Sequence, residues 1–152
     1  MKQILSLILF IPFFGSAQKS EVVMDSADKK EVLFSKSLQW VTTNWNSANN
    51  VVQMKDEAAG MIIVKGGMAS VPKTMGIPAK GITMTQVTIQ VKDGKAKISF
   101  DNTTFKWETG TVWTADSTAS GRVGKWTADC DKEMTGLITS YKTAIVKPSA
   151  DF

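Results

Sequence analysis

Within five residues, Asp129, Cys130, Asp131 and Glu133 gather three carboxylates and the single cysteine of the chain. A thiol near a helix N-terminus loses its proton more easily and becomes a nucleophile, and grouped carboxylates can ligate calcium. The spacing here lacks the glycine turn and the bidentate glutamate of a calcium loop. Histidine is absent, which removes His-based triads, His–metal sites and imidazole acid–base chemistry. Without an imidazole to activate it, Cys130 reads as a small buried hydrophobe that starts an apolar stripe, with intermolecular disulfide pairing as the alternative. The three acids then complement the positive end of a helix, worth about 0.3–1 kcal/mol each.

The other carboxylate pairs, Asp56 with Glu57 and Glu108 with Asp116, fall in expected turns, where such residues are ordinary solvated positions. No G-x-S-x-G elbow, no S-x-x-K constellation of the β-lactamase kind and no G-x-x-x-x-G-K-[ST] loop occurs, and Gly60–Gly67 has no phosphate-binding pattern. No catalytic, cofactor-binding or metal-ligating residue is therefore assigned. Two sets of residues remain that suit contact with a ligand or partner. Trp107, Trp113 and Trp126, with Phe105 close by, supply rings that stack on a sugar or anchor a protein interface, or else fill the core. Gln86, Thr88, Gln90 and Lys97, with Lys95 and Ser99, line the polar side of two expected strands. That side has no stacking aromatics and sparse charge, so nucleic acid is not the expected partner.

The strands that carry this polar side are the clearest elements of the chain. Asp93-Gly94 separates Thr83–Lys92 from Lys95–Asp101 and is the strongest short-range signal for a hairpin, with a type I′ turn expected. Pairing Lys92 with Lys95 sets Val91 opposite Ala96, Ile89 opposite Ile98 and Val87 opposite Phe100, all on one side. The second strand runs on through Thr103–Trp107, and Thr111–Thr114 returns as a further strand. Upstream, Glu21–Met24 forms a first strand, and Asp28 with Glu31 has the form of a capping box. The helix that follows carries Leu33, Phe34, Ser37, Leu38, Val41 and Trp45 on its inner stripe, with Trp40 at the edge, and stops at Ser47–Asn50. Val51–Lys55 and Met61–Lys65 make a second hairpin with Val52, Met54, Ile62 and Val64 inward. Gly66–Gly81, rich in Gly and Pro, is irregular, and Asp116–Gly124 is a loop. A second helix begins near Ala128–Cys130, carries Cys130, Met134, Leu137, Ile138, Tyr141 and Ile145 inward, and ends before Pro148.

Strands flanked by two amphipathic helices predict an α+β, two-layer sandwich: an antiparallel sheet with both helices packed on one face. The chain has 152 residues, and the first seventeen read as a signal peptide rather than as part of the domain. Lys2 is a short positive region, Ile4–Phe14 an apolar one, and Gly15-Ser16-Ala17 places small residues at the cleavage positions. The apolar run falls short of the roughly 20 residues a membrane anchor needs. Cleavage after Ala17 leaves one domain over 18–152, exported to the periplasm or beyond, with no membrane span. Losing Lys2 lowers the formal charge from +4 to +3, with lysines scattered rather than run together. A single cysteine cannot form an intrachain disulfide, so a packed core must provide stability.

Several ordered stretches resemble one known family. They are Val32-Leu33-Phe34-x-x-Ser37-x-x-Trp40, then Ser47–Gln53, then Met54-Lys55-Asp56-x-Ala58-Ala59-Gly60-x-Ile62-Ile63-x-Lys65-Gly66, and Val91–Lys95. The family is an uncharacterised one described as having a TATA-box-binding-protein-like (TBP-like) fold, found largely in exported proteins of the Bacteroidota. The resemblance covers roughly Glu31–Asp101 and implies a curved sheet with helices behind it. It implies no activity, and a fold name does not imply DNA binding. The expected function is that of a non-enzymatic module binding an envelope protein or a small ligand. A protease-inhibitor-like protein and a carbohydrate binder acting through the Trp-rich segment 105–126 are the alternatives.

Overall fold

A computed structural model of the protein describes residues 20–45, 51–115 and 120–146. The leader, the Ser47–Asn50 stop, Asp116 and Pro148 lie outside the described residues. The chain runs β1 (Ser20–Asp25), α1 (Lys30–Asn44), β2 (Val52–Asp56), β3 (Met61–Met68), β4 (Lys73–Thr74), β5 (Ile77–Pro78), β6 (Gly81–Lys92), β7 (Lys95–Trp107), β8 (Val112–Thr114) and α2 (Gly121–Val146). The main sheet is antiparallel in the order β1-β7-β6-β3-β2, and β8 also pairs with β7. β1 takes residues 95–100 of β7 and β8 takes Thr104–Lys106, so the two short strands share one edge of the long one.

The β6–β7 hairpin has the register set by its alternation: Lys92 faces Lys95, Ile89 faces Ile98 and Val87 faces Phe100. Its turn differs from the expected type. Only Gly94 of the central pair has a positive φ, 74°, the sign pattern of a type II rather than a type I′ turn. The turn is shaped by contacts with the β1–α1 connection. Lys30 N–H donates to Asp93 Oδ1 at 2.8 Å, Gly94 N–H to Asp28 C=O at 3.0 Å, and Ser26 N–H to Gly94 C=O at 2.9 Å. The expected capping box of Asp28 and Glu31 does not form. The helix is preceded by Lys29 and has no side-chain cap of its own, because Asp28 is engaged by Lys36 Nζ at 2.6 Å. Asp93, distant in sequence, supplies the acceptor that a local residue would otherwise give.

Both helices lie on the Val87–Ile89–Val91 side of the sheet. α1 buries Leu33, Phe34, Ser37, Trp40 and Val41. Trp40 is not at the edge. It stands over Tyr141 of α2 with ring centroids 5.0 Å apart, and its indole N–H donates to Ser140 Oγ at 3.1 Å. Ser37 and Tyr141 share a buried hydrogen bond of 2.8 Å, so the helix pair is joined by polar groups that satisfy one another. Trp45 closes α1 against β3: its indole N–H donates to Gly67 C=O at 3.0 Å, and a Cβ on Gly66 would stand 2.5 Å from its ring. This is why β3 runs regularly through Gly66 and Gly67, a stretch expected to be irregular.

Three further expectations are corrected. A register shift between Val52 and Met54 places Met54 opposite Ile63, on the side away from the helices, so Met54 is 38% exposed and not inward. α2 starts at Gly121, about two turns before the expected start. Gly121 and Gly124 disguise its first turns, while burial of Trp126 among Ser70, Thr83 and Phe105 holds them in place. Asp129, Asp131 and Glu133 consequently lie within the helix and not at its positive end. Separately, β6 and β7 shift register between Met84 and Gln86, where Asn102 adopts φ 52° and bends β7.

Removing the distant cap tests the hairpin–helix tie. Asp93→Ala is expected to destabilise the fold by about 1 kcal/mol and Asp93→Asn by much less, since the amide oxygen still accepts from Lys30. Urea unfolding midpoints measure both.

Candidate functional site

The side of the sheet away from the helices is built by alternation along five strands. Gln86, Thr88 and Gln90 of β6 face Lys65, Ile63 and Met61 of β3 on one flank, and Asp101, Ser99 and Lys97 of β7 on the other. Gln86, Thr88, Gln90 and Lys97 are all half-buried, screened by one another and not by a helix. Ser99, 5% exposed, donates to Thr88 C=O at 3.4 Å. At the β1 flank, Lys97 approaches Glu21 at 3.5 Å and Lys95 approaches Asp25 at 3.3 Å, both at the surface, where such pairs contribute little. Met54, Met61, Ile63, Met84 and Val23 share this side. The surface is therefore a polar and apolar mosaic. Apart from Met84 of β6, its apolar part belongs to β1, β2 and β3, whose registers no turn signal defined in advance.

The tryptophans lie on the opposite side and at one end. Trp107 and Trp113 are half-buried and meet edge to face, with centroids 5.2 Å apart. Trp107 meets Phe105 at 5.2 Å, and Phe105 meets Trp126 at 6.1 Å, so the rings lead from the surface inward. Trp126 is 1% exposed, and its indole N–H reaches Ser70 C=O and Thr83 Oγ1, both at 3.3 Å. It is a core residue and offers no surface to a ligand. The seven expected contact residues thus separate into the β-sheet mosaic, the Trp107–Trp113 pair and a buried Trp126.

The titratable groups are structural in their contacts. Asp56 Oδ1 accepts from Ala59 N–H at 2.9 Å and closes the β2–β3 turn. Glu133 accepts from Ala69 N–H at 2.8 Å, Ser70 N–H at 2.9 Å and Ser70 Oγ at 2.6 Å, bracketing the loop after β3. Sequence reading missed this role, because no spacing links residues 63 apart. Among the described residues no three His, Cys, Asp or Glu side chains gather to hold a metal. A shallow crevice of about 430 Å³ lies between the β1–α1 connection and the end of α2. Its Lys36 already donates to Asp28 Oδ2 at 2.6 Å and Ile145 C=O at 3.2 Å. Cys130 is fully buried, and burial, reinforced by Glu133, Asp131 and Asp129, pushes its thiol from 9.0 up to about 12. Burial likewise raises Tyr141 to about 12, against a smaller lowering by the Ser37 hydrogen bond.

Comparison with known proteins agrees with this architecture. The family model described as a domain of unknown function (DUF4468) with TBP-like fold matches residues 19–106, more than half of the chain. The fold is similar to the crystal structure of a DUF4468 family protein from Bacteroides ovatus ATCC 8483, with a TM-score of 0.71 at 14% identity over 90% of each chain. It is also similar to a TBP-like protein from Parabacteroides distasonis ATCC 8503, with a TM-score of 0.58 at 10% identity over 82% of this chain and 92% of that one. No curated protein matches the chain.

Because its thiol stays protonated, Cys130 is expected to resist iodoacetamide at pH 8 in the folded protein and to react once the protein is unfolded, as mass spectrometry would show. Cys130 and Tyr141 both bind their protons more tightly when folded. Their contribution to stability is therefore complete below pH 9 and declines as pH rises from there towards 12.

Proposed function

This chain belongs to the DUF4468 family of unknown function and TBP-like fold, and from that premise we propose that it is an exported, non-enzymatic binding module of the cell envelope. Its contact surface is the helix-free side of the sheet, and its partner is another envelope protein. The observation that carries this reading is the mosaic itself. Gln86, Thr88, Gln90 and Lys97 alternate with Met61, Ile63 and Met84 on a surface that neither helix covers. Polar side chains on the central strands β6 and β7, flanked by apolar ones on β3, β2 and β1, make a mixed surface, and a non-obligate protein interface as a whole is no more apolar than that. Export is supported by Lys2, the apolar run Ile4–Phe14 and the small residues Gly15-Ser16-Ala17.

A photo-crosslinking residue at Thr88 in intact cells tests the surface, with the exposed Ser35 of α1 as control. A discrete heavier adduct is expected from Thr88 and not from Ser35, on a chain that starts at Gln18 and fractionates with the envelope. Thr88→Arg is expected to lower recovery of that partner at least about tenfold. Silence at positions 86, 88, 90 and 97 alike overturns the surface, and a cytoplasmic chain retaining residues 1–17 overturns export.

A second reading rests on the half-buried pair Trp107 and Trp113, whose edge-to-face rings suit a sugar. It predicts a tryptophan fluorescence change on titration with envelope glycans that Trp107→Ala and Trp113→Ala each abolish. Persistence of the change in both variants rejects it.

A further inference from the structure

Between β3 and β6 the chain makes a small hairpin that stands apart from the main sheet, β4 against β5, with Lys73 paired to Pro78 and Thr74 to Ile77. Its two turn residues are Met75, with φ 52°, and Gly76, with φ 82°. Both central residues are left-handed, the geometry of a type I′ turn, for which Asn-Gly is the favoured pair. A methionine there is strained by its own Cβ. Among the described residues no contact compensates that strain: Met75 is 98% exposed and Ile77 is 70% exposed. Backbone strain at an exposed apolar tip points to something outside the chain.

The surroundings say what that is. Lys73 stands on β4, and the Arg122 guanidinium donates to Thr74 Oγ1 at 3.2 Å. Lys125 follows one turn along α2, and Lys80 lies just beyond β5; all four cations are exposed. Among the described residues, the acids near this end include Glu108, whose N–H donates to Lys80 C=O at 3.2 Å, Asp129 one turn beyond Lys125, and Glu133 at the hairpin's root. These cations come from separate parts of the sequence, which is why no basic run announces them. The hairpin is also held stiffly. Ala79 N–H donates to Pro72 C=O at 2.7 Å, and Glu133 brackets Ser70 at its root.

We propose that the β4–β5 hairpin docks the protein on an anionic lipid bilayer, with Met75 and Ile77 entering the headgroup–acyl boundary and Lys73, Lys80, Arg122 and Lys125 lying over the charged headgroups. An exposed apolar tip with cations on its own strand, beyond its root and on the adjoining helix is complementary to such a surface. A protein pocket receiving one methionine has no need of four cations around it. The stiff root spares the ordering cost that a mobile loop would incur on binding. This contact uses none of the residues of the sheet mosaic, so it stands or falls independently of the function proposed above.

Co-sedimentation of the purified protein with vesicles is the test. Binding is expected to phosphatidylcholine vesicles containing phosphatidylglycerol, at least tenfold weaker binding to phosphatidylcholine alone, and release by high salt. Met75→Asn suits the turn better, so it is expected to keep or raise the thermal midpoint while weakening vesicle binding at least tenfold. The paired charge reversal Lys73→Glu with Arg122→Glu is expected to weaken it similarly with the fold intact. Absence of binding to either vesicle overturns the proposal. So does binding indifferent to lipid charge, binding undiminished in Met75→Asn, or capture of the hairpin by a protein when vesicles leave it unbound.

Discussion

The structure depends on three hydrogen bonds around Asp93 and Gly94. Through them the tip of the longest hairpin holds the connection from β1 to α1, with Ser26, Asp28 and Lys30 all tied to two turn residues. One end of α1 is thereby fixed over the sheet. The other end is fixed by Trp45 on the backbone of Gly66 and Gly67. With both ends set, Trp40 and Ser37 meet Tyr141 at the middle of the helix pair, and α2 follows. The helices occupy one side of the sheet because the β6–β7 hairpin determines both the apolar surface and the point from which α1 crosses it. The arrangement is consistent across levels: alternation, turn, cap and core agree on the same packing.

What was legible in the sequence followed from local physics. Alternation of Val87, Ile89 and Val91 with Gln86, Thr88 and Gln90, next to an Asp-Gly turn, fixes a register without reference to anything distant. The α+β class follows from two apolar stripes and the strands between them. Where reading failed, a remote contact had replaced a local one. Asp93 did the work assigned to Asp28 and Glu31, a bulge turned Met54 over, and burial of Trp126 overrode two glycines that read as loop. Trp40 was displaced from edge to centre because the second helix covers it, and no pattern within α1 can reveal that.

The candidate surfaces were only partly legible for the same reason. The polar half of the mosaic sits on the hairpin whose register was plain, whereas Met61 and Ile63 join it through the β3–β6 pairing. Of the three late tryptophans, one completes the core and two lie beyond the helices' cover. Ring size alone does not distinguish those fates. The division has a physical logic. The helix-facing side is filled to exclude water, and its buried hydroxyls, such as Thr85 and Thr103 at 2.9 Å, satisfy each other. The other side keeps polar side chains such as Gln86, Gln90 and Lys97 half in contact with water, among apolar ones that no helix covers.

The sharing of one β7 edge by β1 and β8 also sets an order of events. β1, the first strand made, pairs with residues 95–100, whereas β6 and β7 are joined by two residues. During synthesis the hairpin closes locally and fast, while β1 has no edge to join until β7 has emerged. The strand nearest the N-terminus is therefore among the last segments to lose its freedom. Until then β1 has no partner strand, even when the centre of the sheet has already formed.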